Sequence, residues 1–256
     1  MSETMIRHNQ AKTLLKLLSG TILALAVFFC WSGSARAAEV SDQAGLEAAL
    51  GGTDDVITLT GDITLTKNIT VSRAVTLSGG DAITLDTAGY SLIVASGGNL
   101  TVDGALTITG SGEQTIRVKD NGIFTLENGT IESLSIDWHS AIYIEDGGTV
   151  NINGGAVLDL YNKFSEGAIY ANGGIVTVNV SGGVITGYSH GIKLFHYDST
   201  DSRSTVTVSG GTITTTVPET AAQTYGVRVE KGNVKIDGDA EINALFPVAV
   251  DVGSMD

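Results

Sequence analysis

Apolar and polar residues alternate in short runs along most of the chain, as in AIYIE at 141–145, TVNIN at 149–153 and VRVEKGNVKID at 227–237. An alternation of two is the period of a β-strand, and no helical spacing occurs inside these runs. One phrase recurs: TVNINGGAV at 149–157, TVNVSGGVITG at 177–187 and TVTVSGGTI at 205–213. Aligning on the apolar residue before each turn gives a column of Leu77, Val102, Leu126, Ile152, Val180, Val208 and Ile236, at intervals of 24 to 28 residues. A second apolar column runs through Ile116, Ile142, Ile169, Ile192, Val227 and Val248. Repeats of this length predict a solenoid in which each unit buries its apolar face only by stacking on its neighbours.

Each unit reads as a coil of short strands joined by Gly, Asn and Asp corners, because such corners require positive φ. Stacked coils pair strand on strand in parallel, with right-handed winding favoured by strand twist. The scarcity of proline (only Pro218 and Pro247) suits a sheet whose backbone donors are nearly all used. A solenoid needs its ends covered, and SDQAGLEAAL at 41–50 predicts a short amphipathic helix with Ser41 as N-cap and Leu46, Ala49 and Leu50 on one face. Residues 38–56 are thus an N-terminal cap and 57–256 the coils, the first strand being VITLTGDITL. The helix, the acidic turn after it, VITLTGDITLTKNITVSRAVTLSGG and the SGGTI-bearing coils resemble right-handed parallel β-helix proteins of the pectin-lyase-like type. They are most similar to its bacterial surface and adhesin-like members. The expected fold is all-β: a single-stranded, right-handed parallel β-helix with a short N-terminal capping helix.

Residues 1–37 read as a signal peptide: Arg7, Lys12 and Lys16 precede the apolar run TILALAVFFCW, and Ala35-Arg36-Ala37 is a small-residue cleavage signal. The apolar run is short of the ~20 residues a bilayer crossing needs, so no stable membrane insertion is expected after cleavage. Secretion or display at the cell surface follows. Cys30, the sole cysteine, leaves with the leader, so the exported chain relies on its sheet rather than on disulfides. The 28 acidic residues against 14 basic ones give a net charge of −14, which repels nucleic acid and anionic lipid and is compatible with Ca²⁺ binding.

The second column fixes the outward positions beside it: Arg117, Tyr143, Tyr170, Lys193, Arg228 and Ala249. Trp138, His139, Phe164, Glu166, Tyr188, His190 and Tyr225 cluster at the start of the same strands. Aromatic rings stack on sugars, while Arg and Lys bond carboxylate or sulfate groups. This predicts a glycan-binding face of Tyr143, Tyr170, Lys193, Arg228, Arg117, Trp138, His139, His190 and Tyr188, directed at extracellular or cell-wall polysaccharide. The competing structural reading is that these residues form cross-strand ladders and fill gaps under loops.

The resemblance to pectin-acting β-helices raises catalysis. SHGIKLFH at 189–196 is faintly similar to their Gly-His-Gly turn, but the aspartate pair a glycoside hydrolase needs is missing, since Asp54-Asp55 belong to the cap. A lyase of acidic polysaccharides is the alternative function, with Lys193 and Arg228 as base and charge stabiliser and Glu145 and Glu166 holding Ca²⁺. Asp198, Asp201 and Glu219 read as solvated loop charges. The final coil begins at Val248 and its glycine turn would fall past Asp256, which predicts either a longer parent chain or end-to-end self-association.

Overall fold

The computed structural model describes residues 36–80, 82–136, 139–160, 166–196, 204–217 and 224–251. Among them, three parallel sheets of nine, eight and eight strands run side by side. One coil shows the plan. Thr149–Ile152 lies in the first sheet, Ala156–Asp159 in the second and Gly167–Asn172 in the third; the chain then re-enters the first sheet at Thr177–Val180. The fold is a parallel β-solenoid.

Both sequence columns are rows of directly paired residues. Leu77 through Ile236 stack in the first sheet, and Ile116 through Val248 in the third. Inward side chains from the three sheets form one continuous core; Ile116, Ile142, Ile169, Ile192 and Val227 are fully buried. Phe124 fills the first sheet between Leu100 and Val150. In the last described coil the same positions open, with Val248 38% and Val250 40% exposed.

The recurring Gly-Gly pair carries two separate requirements. The first glycine passes so close to the coil beneath that a Cβ on Gly182 would run into the carbonyl oxygen of Asn153. The second takes the left-handed conformation, φ +68° at Gly155, +74° at Gly183 and +78° at Gly211. That region favours glycine because a side chain there meets the following carbonyl.

The cap differs from the sequence expectation in three respects. The helix spans Gln43–Gly51, and its N-cap is Asp42 rather than Ser41: the Asp42 carboxylate accepts from the Gly45 amide at 2.7 Å. Leu46, Ala49 and Leu50 are buried as expected. Arg73, from the next coil, closes the other end of the helix, donating to the carbonyls of Ala49 (2.8 Å), Leu50 (3.0 Å) and Asp54 (2.7 Å). A cation there also complements the negative end of the helix dipole. Finally, a strand over Ala37–Val40 pairs with Val56–Leu59, and the Arg36 carbonyl accepts from the Val56 amide. Ala37, the last residue of the signal peptide expected over 1–37, is therefore part of the first strand; residues 1–35 lie outside the described residues.

Two other runs divide differently. VITLTGDITL is two strands, Val56–Leu59 and Ile63–Thr64, in different sheets. VRVEKGNVKID crosses a corner at Lys231, which adopts φ +55° and separates Tyr225–Glu230 in the third sheet from Gly232–Ile236 in the first. No helix among the described residues is long and apolar enough to cross a membrane.

Candidate ligand-binding face

Because the inward column of the third sheet is in register, the residue after each inward position points outward on the same line. Arg117, Tyr143, Tyr170, Lys193, Arg228 and Ala249 are therefore consecutive rungs, about 4.8 Å apart by sheet geometry. One line farther along the strands, Asn172 pairs with Phe195 and Glu230 with Asp251. The outer surface of the first sheet has a different character. It carries Thr125, Asn151, Asn179 and Thr207, with Asn179 donating to Asn151 at 2.9 Å and Asn151 to Thr125 at 3.3 Å.

The charged groups of the third-sheet face are tied to one another. The Arg117 guanidinium clasps the Glu145 carboxylate through Nε and Nη2, and Arg228 Nη2 lies 2.8 Å from Glu230. Lys193 Nζ sits 5.7 Å from the Tyr170 ring centre and 5.4 Å from that of Phe195, while the Arg228 guanidinium lies 5.4 Å from the Tyr225 ring. These are cation–π distances. Phe195 and Tyr225 thus join the face as partners of its cations. Tyr225 was visible in the sequence only as an edge aromatic, and Phe195 shares the outward parity of Lys193, two residues before it on the same strand.

Burial shifts several ionisations. Desolvation holds the Glu166 carboxyl up to about 7, despite the nearby Lys193 charge and helped by Glu113. It pushes the Lys193 amine down, with Arg228 adding repulsion and Glu230 and Glu166 opposing. The Tyr143 and Tyr170 phenols are raised, chiefly by desolvation. His190 is held neutral, down to about 3, by burial and then by Lys193 and Arg228.

The structure corrects the accessibility assumed for two expected contact residues. Tyr170 points outward but is only 8% exposed, packed at 5.8 Å from the Tyr143 ring and beneath Lys193. His190, at the start of strand His190–Phe195, is fully buried although its register partner Tyr225 stays partly exposed. Its ring stacks on Tyr225 at 5.6 Å, Nδ1 lies 3.0 Å from Ser189 Oγ, and Nε2 has no hydrogen-bond partner among the described residues. Tyr143, Lys193, Arg228, Arg117, His139 and Tyr188 retain partial exposure. Trp138 and Phe164 lie outside the described residues, as do Asp198, Asp201 and Glu219.

Comparison adds no family. No protein-family model, curated protein or solved structure matches this chain. The solenoid rests on its own strand register, and no comparison supports the expected pectin-lyase-like or adhesin-like membership. The expected Ca²⁺ ligands also behave differently from each other. Glu145 is engaged by Arg117, and no group of three or more His, Cys, Asp or Glu among the described residues is arranged to hold a metal ion.

What the face can do chemically follows from this set. It offers a half-open tyrosine ring and ion pairs that present donors and acceptors together. Beside Lys193 sits a carboxyl poised near neutrality.

Proposed function

We propose that the chain is a secreted or cell-surface β-helix protein, adhesin-like in role, which binds extracellular or cell-wall polysaccharide on the outer face of its third sheet without catalysing a reaction. The observation that carries this reading is the in-register line from Arg117 to Arg228. Aromatic and paired charged side chains gather on one sheet, while the first sheet presents Thr and Asn ladders. Sugar recognition uses that combination: rings against C–H faces, and charged groups against hydroxyls.

The test is sedimentation with insoluble cellulose, chitin and peptidoglycan. Tyr143→Ala and Lys193→Ala should reduce the bound fraction, and Thr177→Ala on the first sheet should not. Tyr170 is a poor probe, because removing a residue this buried opens a cavity. Equal losses from all three variants would refute a third-sheet site.

One observation favours a second reading, that of a lyase acting on acidic polysaccharide. Glu166 near neutrality beside a Lys193 with a lowered amine pKa is a pairing suited to proton transfer. Release of unsaturated product from pectate or alginate, followed by ultraviolet absorbance and lost in Glu166→Gln, would favour it over simple binding.

A further inference from the structure

We infer that the outer face of the first sheet is an ice-binding surface whose ligand is the crystalline water lattice. It is separate from the third-sheet face and does not rest on the glycan reading.

Charge marks this face out. In a chain of net charge −14, two adjacent outward columns of the first sheet carry no charged side chain over consecutive strands from Ala74–Gly79 to Ser204–Val208. One column runs through Thr76, Thr101, Thr125, Asn151, Asn179 and Thr207. The column beside it begins at Ala74 and passes through Thr149, Thr177 and Thr205. Charge returns at Lys235 on the next strand, and at Asp103 and Glu127 one column farther along. The second sheet also presents threonines, but Asp86 and Glu132 stand in line with them. A charged group orders its own hydration shell, which holds water away from lattice positions. A threonine offers one hydroxyl to the lattice, beside a methyl that sits within a hydrogen-bonded water cage.

Spacing matches a solid rather than a flexible ligand. Successive rungs are ~4.8 Å apart and the two columns ~6.6 Å apart, twice the rise per residue. The first distance is within a few tenths of an ångström of the a-axis repeat of hexagonal ice, and the second is within an ångström of its c-axis repeat. The rung mismatch accumulates along the axis, so the fit holds over a few rungs. A depression of about 200 Å³ beside Ala74, Asn99 and Thr101 interrupts one end. The strands from Ile123–Leu126 to Ser204–Val208 form the unbroken part. This part is also held still. Asn179 donates to Asn151 at 2.9 Å and Asn151 to Thr125 at 3.3 Å. Branching at Cβ restricts threonine χ1, and behind the array Phe124, Val150, Val178 and Val206 are at most 1% exposed. A surface ordered beforehand loses little entropy on meeting a crystal.

The experiment is ice-affinity partitioning of the full chain into an ice hemisphere grown slowly from dilute solution, with recrystallisation inhibition measured on the same samples. The chain should be enriched in the ice at least about fivefold over serum albumin and should halt grain coarsening at micromolar concentration, at low and at physiological salt alike. Thr177→Lys, in the middle of the array, should lower enrichment to the albumin level, whereas Thr186→Lys on the second sheet should leave it unchanged. Circular dichroism and melting temperature confirm that each variant is folded; Thr149→Lys takes the place of Thr177→Lys should that variant unfold. Exclusion of the wild type from ice would overturn the inference. Equal losses from the first-sheet and second-sheet lysines, or full activity with a folded first-sheet lysine, would overturn the assignment to this face. Tyr143→Ala should keep its ice enrichment whatever it does to glycan binding; loss of enrichment there would move the ice contact to the third sheet and overturn the first-sheet assignment.

Discussion

Replacing Glu166 with glutamine isolates the most strongly perturbed partly exposed group on the third-sheet face. Its carboxyl ionises near 4.5 in the reference state and near 7 in the folded protein, with desolvation the largest cause. Between those values the folded chain holds a proton that the unfolded chain has lost, so stability falls as pH rises through this window. Below about 4.5 both states are protonated and the group contributes nothing; above about 7 both are ionised and the destabilisation is complete. At ~1.4 kcal/mol per pKa unit the full effect is roughly 3 kcal/mol, an upper bound because solvent on the open side screens the charge. Glutamine resembles the protonated acid. Glu166→Gln should therefore match the wild type near pH 4 and exceed it by up to ~3 kcal/mol near pH 8.

Urea unfolding of both proteins at the two pH values measures this as a difference of differences. His190 contributes with the opposite sign. Its folded pKa is depressed to about 3 from 6.5, so the unfolded chain gains a proton first as pH falls, and stability is lost on the acid side. That term is common to both proteins and cancels. A wild-type-to-variant difference equal at pH 4 and pH 8 would refute the desolvation argument. A variant relatively weaker at pH 8 would show that attraction to Lys193 outweighs desolvation at Glu166.

Two predictions concern the scaffold. Phe124 is fully buried between Leu100 and Val150, so Phe124→Ala should cost ~3–5 kcal/mol in denaturant unfolding, with Phe124→Leu much milder. Gly183→Ala forces a side chain into φ +74° and places its Cβ 2.6 Å from the Gly154 carbonyl oxygen. It should cost at least ~1–3 kcal/mol, whereas Gly80→Ala, where a Cβ meets nothing within 4 Å, should be close to neutral; equal effects at the two sites would contradict the stacking argument.

The inward columns, and with them the solenoid, were legible in the sequence because strand parity and coil length are both one-dimensional. Once Ile142, Ile169 and Ile192 stack, residues 143, 170 and 193 must share an outward line. The Gly-Gly corners were legible for a related reason, since positive φ and close coil approach leave little choice of residue. Lys231 was not, because a lysine in the left-handed region carries no signal in an alternating run; only the corner around it divides Tyr225–Glu230 from Gly232–Ile236. The helix began at Gln43 because the Asp42 carboxylate, rather than the Ser41 hydroxyl, reaches the Gly45 amide, a matter of local geometry that composition leaves open.

At the candidate site the division is sharper. Strand parity along the chain already assigned the residues on the outward line of the third sheet. How deep each one lies and what it touches came only from the stacked coils: Tyr170 sinks beneath Lys193 and against Tyr143, His190 is closed off from solvent against Tyr225, and Arg117 and Arg228 are taken up by Glu145 and Glu230. Parity along a strand is set by the backbone alone. Depth, desolvation and the Arg117–Glu145 pair depend on side chains from neighbouring coils, separated by more than twenty residues in the chain and brought within contact only by the stacking, whereas Arg228 and Glu230 pair within one strand.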